Sequence, residues 1–186
     1  MESKLQIISG KYRGRKLLLP SSARPTQNRA RIALFNMLES NIIDTTDKFT
    51  VWDAFAGSGA FGIECISRYA GAKVIFTDVS PESVFVIRKN VGAISGESQS
   101  TIVQSDALSA ISKFATNTDI VFVDAPYDTA EIGRAFVNKL GRAVKTGTVV
   151  IWEQEANNSV EPNTDVWEVL RDKTYGRARF LILRRI

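Results

Sequence analysis

A chain of 186 residues, 44% of them hydrophobic, suffices for one domain with a sizeable core, so a single domain spanning 1–186 is expected. It holds no histidine and one cysteine, which excludes histidine-based triads, the usual zinc sites and an internal disulfide. The net charge of +4 hides two basic ends: residues 1–36 carry eight Lys or Arg against Glu2 alone, and residues 171–186 carry six against Asp172.

The middle of the chain is therefore net negative. Clustered basic residues are either a solvated surface or the footprint of a polyanion partner. No apolar run approaches the roughly 18 residues that cross a bilayer, and the start lacks the pattern of a signal peptide, so a cytoplasmic protein without membrane contact is expected.

In chain order, residues 5–9 (LQIIS) and 15–19 (RKLLL) predict two strands joined by the glycine-bracketed turn Gly10 to Gly14. This makes residues 1–22 a basic N-terminal β-hairpin extension, and 23–186 a helix followed by the catalytic core. Between Gln27 and Ser40, the residues Ala30, Ala33, Leu34, Met37 and Leu38 recur at helical spacing, with Arg29 and Arg31 off that apolar stripe. From residue 51, short apolar strands alternate with helical stretches: 51–55, 73–78, 100–106, 119–124 and 148–153. Alternation of this kind predicts βαβ units and a parallel sheet. Two last strands, 165–170 and 179–185, flank the stretch Lys173 to Gly176 and predict an antiparallel pair at one end of the sheet.

The first strand-to-helix turn, Asp53 to Gly62, contains Gly57, Gly59 and Gly62 in G-x-G-x-x-G spacing, with Asp78 closing the next strand. Glycines let a backbone approach a ligand closely and aim a helix N-terminus at it. An acid at the second strand end suits a ribose, so an adenosine-type ligand is favoured over a bare turn. Asp53, Asp78, Asp106 and Asp124 all stand where parallel strands end, the edge at which open α/β sheets bind ligands. Each alone reads equally as a helix N-cap, above all Asp106, which precedes the helical run Ala107 to Phe114. Asp124 instead opens the turn Asp124-Ala125-Pro126-Tyr127, stiffened by proline.

These motifs carry a family resemblance. The run Asp53-x-Phe55-x-Gly57-Ser58-Gly59 with Phe61-Gly62-Ile63-Glu64 resembles the first motif of S-adenosylmethionine-dependent methyltransferases, and Asp124 to Tyr127 resembles their D/N-P-P-Y motif. The opening I-I-S-G-K-Y-R-G-R-K-L, the segment Arg24-Pro25-Thr26-x-x-Arg29 leading to Ala33-Leu34-Phe35-Asn36, and Tyr175-Gly176 near the end are similar to the bacterial RsmD-like family of 16S ribosomal RNA guanine-N(2) methyltransferases. The chain departs from the family at Ala125, where the first proline of the turn belongs, at Asn28 in place of Asp, and at Ile32 in place of Glu.

The resemblance implies a Rossmann-like α/β fold with a seven-stranded, mostly parallel sheet, and S-adenosylmethionine as cofactor. It places Asp78 on the ribose, Asp106 on the adenine amine and Asp53 at the methionine end through the loop Gly57-Ser58-Gly59, with Phe55 and Ala107 packed on the cofactor. Asp124 and the Ala125 carbonyl would accept the hydrogens of a guanine amine on a turn fixed by Pro126, Asp124 either taking a proton or orienting the nitrogen. Tyr127 would stack on the flipped base. The implied partner is 16S rRNA or a small-subunit assembly intermediate, held by Lys11, Arg13, Arg15, Arg24, Thr26 and Arg29, with the protein acting as a monomer without metal.

Other readings account for less of the chain. A dehydrogenase using NAD explains the glycines and Asp78, but not Asp124 to Tyr127, and calls for a second domain that the length does not allow. A non-catalytic RNA-binding module explains the charge and leaves the glycine loop vestigial. Methylation of a pyrimidine ring carbon commonly needs a cysteine nucleophile, whereas Cys65 falls inside a predicted helix and reads as core. Trp52, Trp152 and Trp167 lie in or beside strands and read as core too.

Overall fold

The computed structural model describes residues 5–21, 28–40, 42–43, 47–126 and 130–186. Arg24, Thr26 and Tyr127 lie outside the described residues, as does the side chain of Asn28. Seven strands form one sheet in the order β3-β2-β1-β4-β5-β7-β6. They are β1 (Phe49–Asp53), β2 (Ala72–Asp78), β3 (Ser100–Gln104), β4 (Ile120–Val123), β5 (Val149–Glu155), β6 (Trp167–Tyr175) and β7 (Ala178–Arg185). Strands β1 to β5 pair in parallel. β7 inserts antiparallel between β5 and β6. The expected mostly parallel sheet with an antiparallel C-terminal pair is thus observed.

Alternation along the central strands divides the core in two. Val51, Phe76, Phe122, Ile151 and Phe180 face one side, under α1 (Asn28–Glu39), α2 (Ala60–Arg68) and α3 (Pro81–Ala93). Trp52, Val121, Val150, Trp152 and Leu183 face the other, under α4 (Ala107–Phe114) and α5 (Ala130–Leu140). Strands covered on both faces are apolar almost throughout, as β4 is, because neither side meets water. Edge strand β6 is mostly exposed and correspondingly charged. The three tryptophans and Cys65 are buried, as expected. Burial pushes the Cys65 thiol well above its ordinary range, and Asp53 and Glu64 add to this, so it is an inert core group.

The N-terminal segment folds back as the expected hairpin, with shorter pairing than two full strands: around the antiparallel bridge Gln6↔Lys16, Ile7 N–H donates to Arg15 O (2.9 Å), Leu17 N–H to Leu5 O (3.0 Å) and Gly14 N–H to Ile7 O (2.8 Å). Side chains of the helices beneath take much of its backbone hydrogen bonding. Glu64, fully buried, accepts from the N–H of Ile8 (2.8 Å) and Ser9 (2.9 Å), and Ser67 Oγ accepts from Tyr12 N–H (3.0 Å). Asn90 accepts from Leu18 N–H (2.8 Å) and donates to Leu18 O (3.0 Å). Gly10 adopts φ +81°, and a Cβ there would sit 2.0 Å from the Ser67 carbonyl oxygen, so both conformation and contact require glycine. At the other end, β6 continues through Tyr175, leaving Gly176-Arg177 as a two-residue turn. Gly176 takes φ +61° in the first turn position, which suits the II′ geometry of tight hairpins.

Candidate active site

The parallel strands end at one cavity of about 650 Å³, reached by the glycine loop, the D-A-P turn and the β6–β7 hairpin. After β1, the chain turns through Gly57 (φ +53°) and Gly59 (φ +76°), backbone conformations that side chains rarely adopt. Gly62, one turn into α2, is needed for another reason. A Cβ there would lie 2.3 Å from Phe76 Cε1 and 2.7 Å from Val74 Cγ1, so its absence lets α2 lie close on the sheet. The N-terminus of α2 opens toward the cavity, with Ala60 and Phe61 on its wall.

Acids at the strand ends hold this loop. Asp78 Oδ2 accepts from Gly57 N–H (2.8 Å) and Oδ1 from Ser80 N–H (2.9 Å), fixing the loop and the start of α3 together. Asp53 is 1% exposed, and its Oδ2 accepts from Gly62 N–H at 3.1 Å. Burial drives its pKa up to about 8, the Gly62 hydrogen bond opposes this, and the charge of Asp78 adds to it. Asp106 caps α4, accepting from Ser109 N–H at 2.9 Å, so the N-cap reading of this acid holds while the residue still lines the cavity. Phe55, Ser58 and Ala107 line the same half. All eight expected cofactor residues cluster around the glycine loop, seven of them on the cavity wall, with Gly59 behind its turn.

Asp124, Ala125 and Pro126 border the cavity where β4 ends. Asp124 is half-buried by surface yet set deep enough that desolvation is the main cause of a pKa well above the carboxylate range, followed by the charges of Glu153 and Asp53. Glu153, 6% exposed, was not singled out in the sequence. Val123 pairs with Trp152 in parallel register, so the next residues, Asp124 and Glu153, stand side by side on one face of the sheet. A parallel strand continuing in register one residue past an apolar run was the signal for it.

Of the expected RNA-binding residues, the four that are described, Lys11, Arg13, Arg15 and Arg29, do not line this cavity. Lys11, Arg13 and Arg15 are exposed at the tip of the N-terminal segment, where Lys11 and Arg15 stack over Tyr12. Lys11 N–H donates to Ser67 O near the C-terminus of α2, and the Arg15 guanidinium donates to Ala93 O at the end of α3. Both helices start at the cavity and run away from it, so the tip sits a helix length from the opening. Arg29 is exposed on α1. Arg31, expected off the buried stripe, is 4% exposed, lines the cavity and donates to Gln6 O. Its stem is covered because the N-terminal segment packs across α1.

No helix among the described residues is long and apolar enough to cross a membrane. The family model described as conserved hypothetical protein 95 matches residues 5–184. Ribosomal RNA small subunit methyltransferase D of Escherichia coli K12 is 33% identical over 97% of this chain and 90% of its own length. The protein of the same name from Buchnera aphidicola of Acyrthosiphon pisum is 31% identical over 85% of this chain and 82% of its own. Among solved structures, yhhF of Escherichia coli superposes with a TM-score of 0.82 at 30% identity, covering 97% of both chains. An RNA methyltransferase of Salinibacter ruber in complex with S-adenosyl-L-homocysteine shares the fold, with a TM-score of 0.64 at 18% identity over 87% of this chain and 94% of that one. With nearly every residue matched by one family model and a sheet that carries the glycine loop and the D-A-P turn to one cavity, the chain belongs to the RsmD-like family of methyltransferases.

Proposed function

We propose that this protein transfers a methyl group from S-adenosylmethionine to the exocyclic amine of a guanine in 16S rRNA. The observation that carries the reading is the single cavity joining two halves: a glycine loop at a helix N-terminus, braced by Asp78, and the turn Asp124-Ala125-Pro126. The first half fits the cofactor by its donor set. Asp78 reaches the cavity to accept from ribose hydroxyls, Asp106 accepts from an adenine amine, and left-handed Gly57 and Gly59 keep the loop free of side chains where a ligand approaches. Bound there, the cofactor supplies an electrophilic methyl group on a sulfonium.

The remaining chemistry belongs to the chain. A guanine amine is a weak nucleophile because its lone pair is delocalised into the ring, so the site must accept its hydrogens and aim the nitrogen. Asp124 and the Ala125 carbonyl are two acceptors on consecutive residues, and Pro126 fixes the path of the turn without donating a competing N–H. Alanine in place of the family's first proline retains the carbonyl. Asp124, desolvated by burial and then crowded by the charges of Glu153 and Asp53, binds a proton more readily than an exposed carboxylate and so suits the proton that the nitrogen sheds as the carbon–nitrogen bond forms. Most of the acceleration then comes from positioning and electrostatics.

The protein acts as one domain and as a monomer, in the cytoplasm, on 16S rRNA or an assembly intermediate of the small subunit, and uses no metal. Two measurements test this. Calorimetric titration should give S-adenosylmethionine binding and no NADH binding. Mass mapping of 16S rRNA from cells lacking the gene should show one guanine short of a methyl. Binding of NADH alone would return the chain to the dehydrogenase class, and RNA binding without cofactor would make it a binding module.

A further inference from the structure

Part of the cavity is left over once the cofactor half is assigned, and part of its wall comes from an element that the sequence did not connect with the site. Tyr175, Arg177, Ala178 and Phe180, all from the β6–β7 hairpin, line it together with Leu5, Leu19 and Pro20 of the N-terminal segment and Arg31 of α1. The cause is topological. β5 runs toward the cavity and β7 runs back from it, with Glu155 paired to Ala178, so the turn Gly176-Arg177 is delivered to the same edge as the ends of the parallel strands. From β4, which carries Asp124, to β7 is two strands, roughly 10 Å at the usual strand spacing.

The side chains flanking this turn form a matched pair. Tyr175 is 38% exposed, its ring centroid 6.2 Å from that of Phe180, leaving ring surface open while its position is set from behind. The Arg177 side chain is 77% exposed and pairs with Glu155 at the rim. An aromatic face beside an exposed guanidinium offers stacking to an unpaired base and a contact to its phosphate, the combination that single-stranded nucleic acid sites use. The basic tip of the N-terminal segment is placed otherwise. It is anchored at the far ends of α2 and α3, and α2 alone, nine residues long, spans about 13 Å.

We propose that the β6–β7 turn is the substrate side of the cavity: Tyr175 stacks on the extruded RNA base presented to Asp124, and Arg177 holds the adjoining phosphate. This rests on the methyltransferase reading above and specifies how the RNA enters it. A base stacked on a ring carried by a tight hairpin is fixed in plane while its edge remains open to the acceptors of the D-A-P turn. Phosphate contact at the rim then orients the nucleotide backbone outward.

The test uses the whole protein and a single-stranded RNA carrying 2-aminopurine, a fluorescent base with its amine at the ring position that guanine uses and whose emission falls on stacking. Wild-type protein should quench the probe, Tyr175→Phe should quench it as well, and Tyr175→Ala should bind the strand without the quench. Arg177→Ala should lower the slope of log affinity against log salt by about one unit, the loss of one phosphate contact. Calorimetric affinity for S-adenosylmethionine should be unchanged in all three, which separates failure here from failure of the cofactor reading. A wild-type protein that binds the cofactor yet leaves the probe bright would overturn the proposal. So would equal quenching by Tyr175→Ala, or an unchanged salt slope in Arg177→Ala.

Discussion

Replacing Asp53 by Asn isolates the energetic consequence of burying an acid under the glycine loop. In the folded chain this carboxyl titrates at about 8, against 3.8 for an ordinary aspartate. Between those values the native state holds a proton that the unfolded chain has released, so stability is highest below about pH 4, falls as pH rises and levels off above about 8. At about 1.4 kcal/mol per unit, the full window amounts to an upper bound of roughly 6 kcal/mol, and water entry and relaxation reduce it to a few. Asparagine keeps an oxygen for the Gly62 N–H, at 3.1 Å from Asp53 in the native chain, and has no proton to lose. Denaturant melts from pH 4 to pH 9 should therefore show D53N gaining on wild type across the window, by a few kcal/mol at its upper end. Parallel curves for the two proteins would refute the reasoning, since they would mean that the buried carboxyl ionises without penalty.

Gly62→Ala should destabilise by about 1–3 kcal/mol in denaturant unfolding despite the better helix propensity of alanine, because its Cβ would fall 2.3 Å from Phe76 Cε1. Glu64→Ala removes a fully buried carboxylate that accepts from Ile8, Ser9 and Arg68. It should cost about 3–5 kcal/mol and speed amide hydrogen exchange at Ile8 and Ser9, read by mass spectrometry or NMR. Glu153→Gln withdraws a negative charge that helps raise the pKa of Asp124, so the acid limb of the pH–rate profile should move to lower pH while S-adenosylmethionine affinity, measured calorimetrically, holds.

The legible parts of this fold were those set by local pattern. The strand alternation, the apolar stripe of α1 and the glycine spacing each depend on neighbours in sequence, and the structure places them as expected, with β1 beginning at Phe49 rather than Val51. What sequence did not disclose depends on which backbone donors find side chains. The N-terminal segment pairs over only a short stretch, and Glu64, Ser67 and Asn90, 55 to 72 positions along the chain from the donors they bind, take the N–H groups of Ile8, Ser9, Tyr12 and Leu18. Asp106 carried both roles in one residue, capping α4 and facing the cavity, so neither reading excluded the other. Glu153 gave no motif at all, since its position matters only through the register of β5 on β4.

Charge was the least transferable signal, for a physical reason. A basic N-terminal segment counts equally whether its cations meet solvent or the protein, and here several meet the protein. Arg31 is buried against the Gln6 carbonyl, and Arg15 closes the end of α3, where a cation complements the helix dipole. The tip is consequently part scaffold, since the contacts that bring Lys11 and Arg15 to α2 and α3 also seat Leu5, Ile7 and Leu17 in the core. At the C-terminal end the balance differs. Arg179 is paired with Asp172 and Glu161, Arg184 with Glu168 and Arg177 with Glu155, and Arg177, on the turn beside the cavity, keeps most of its surface exposed. A polyanion drawn to either end by the same long-range attraction would meet Arg177 on the cavity wall itself, whereas the described basic tip, Lys11 to Arg15, is anchored at the far ends of α2 and α3.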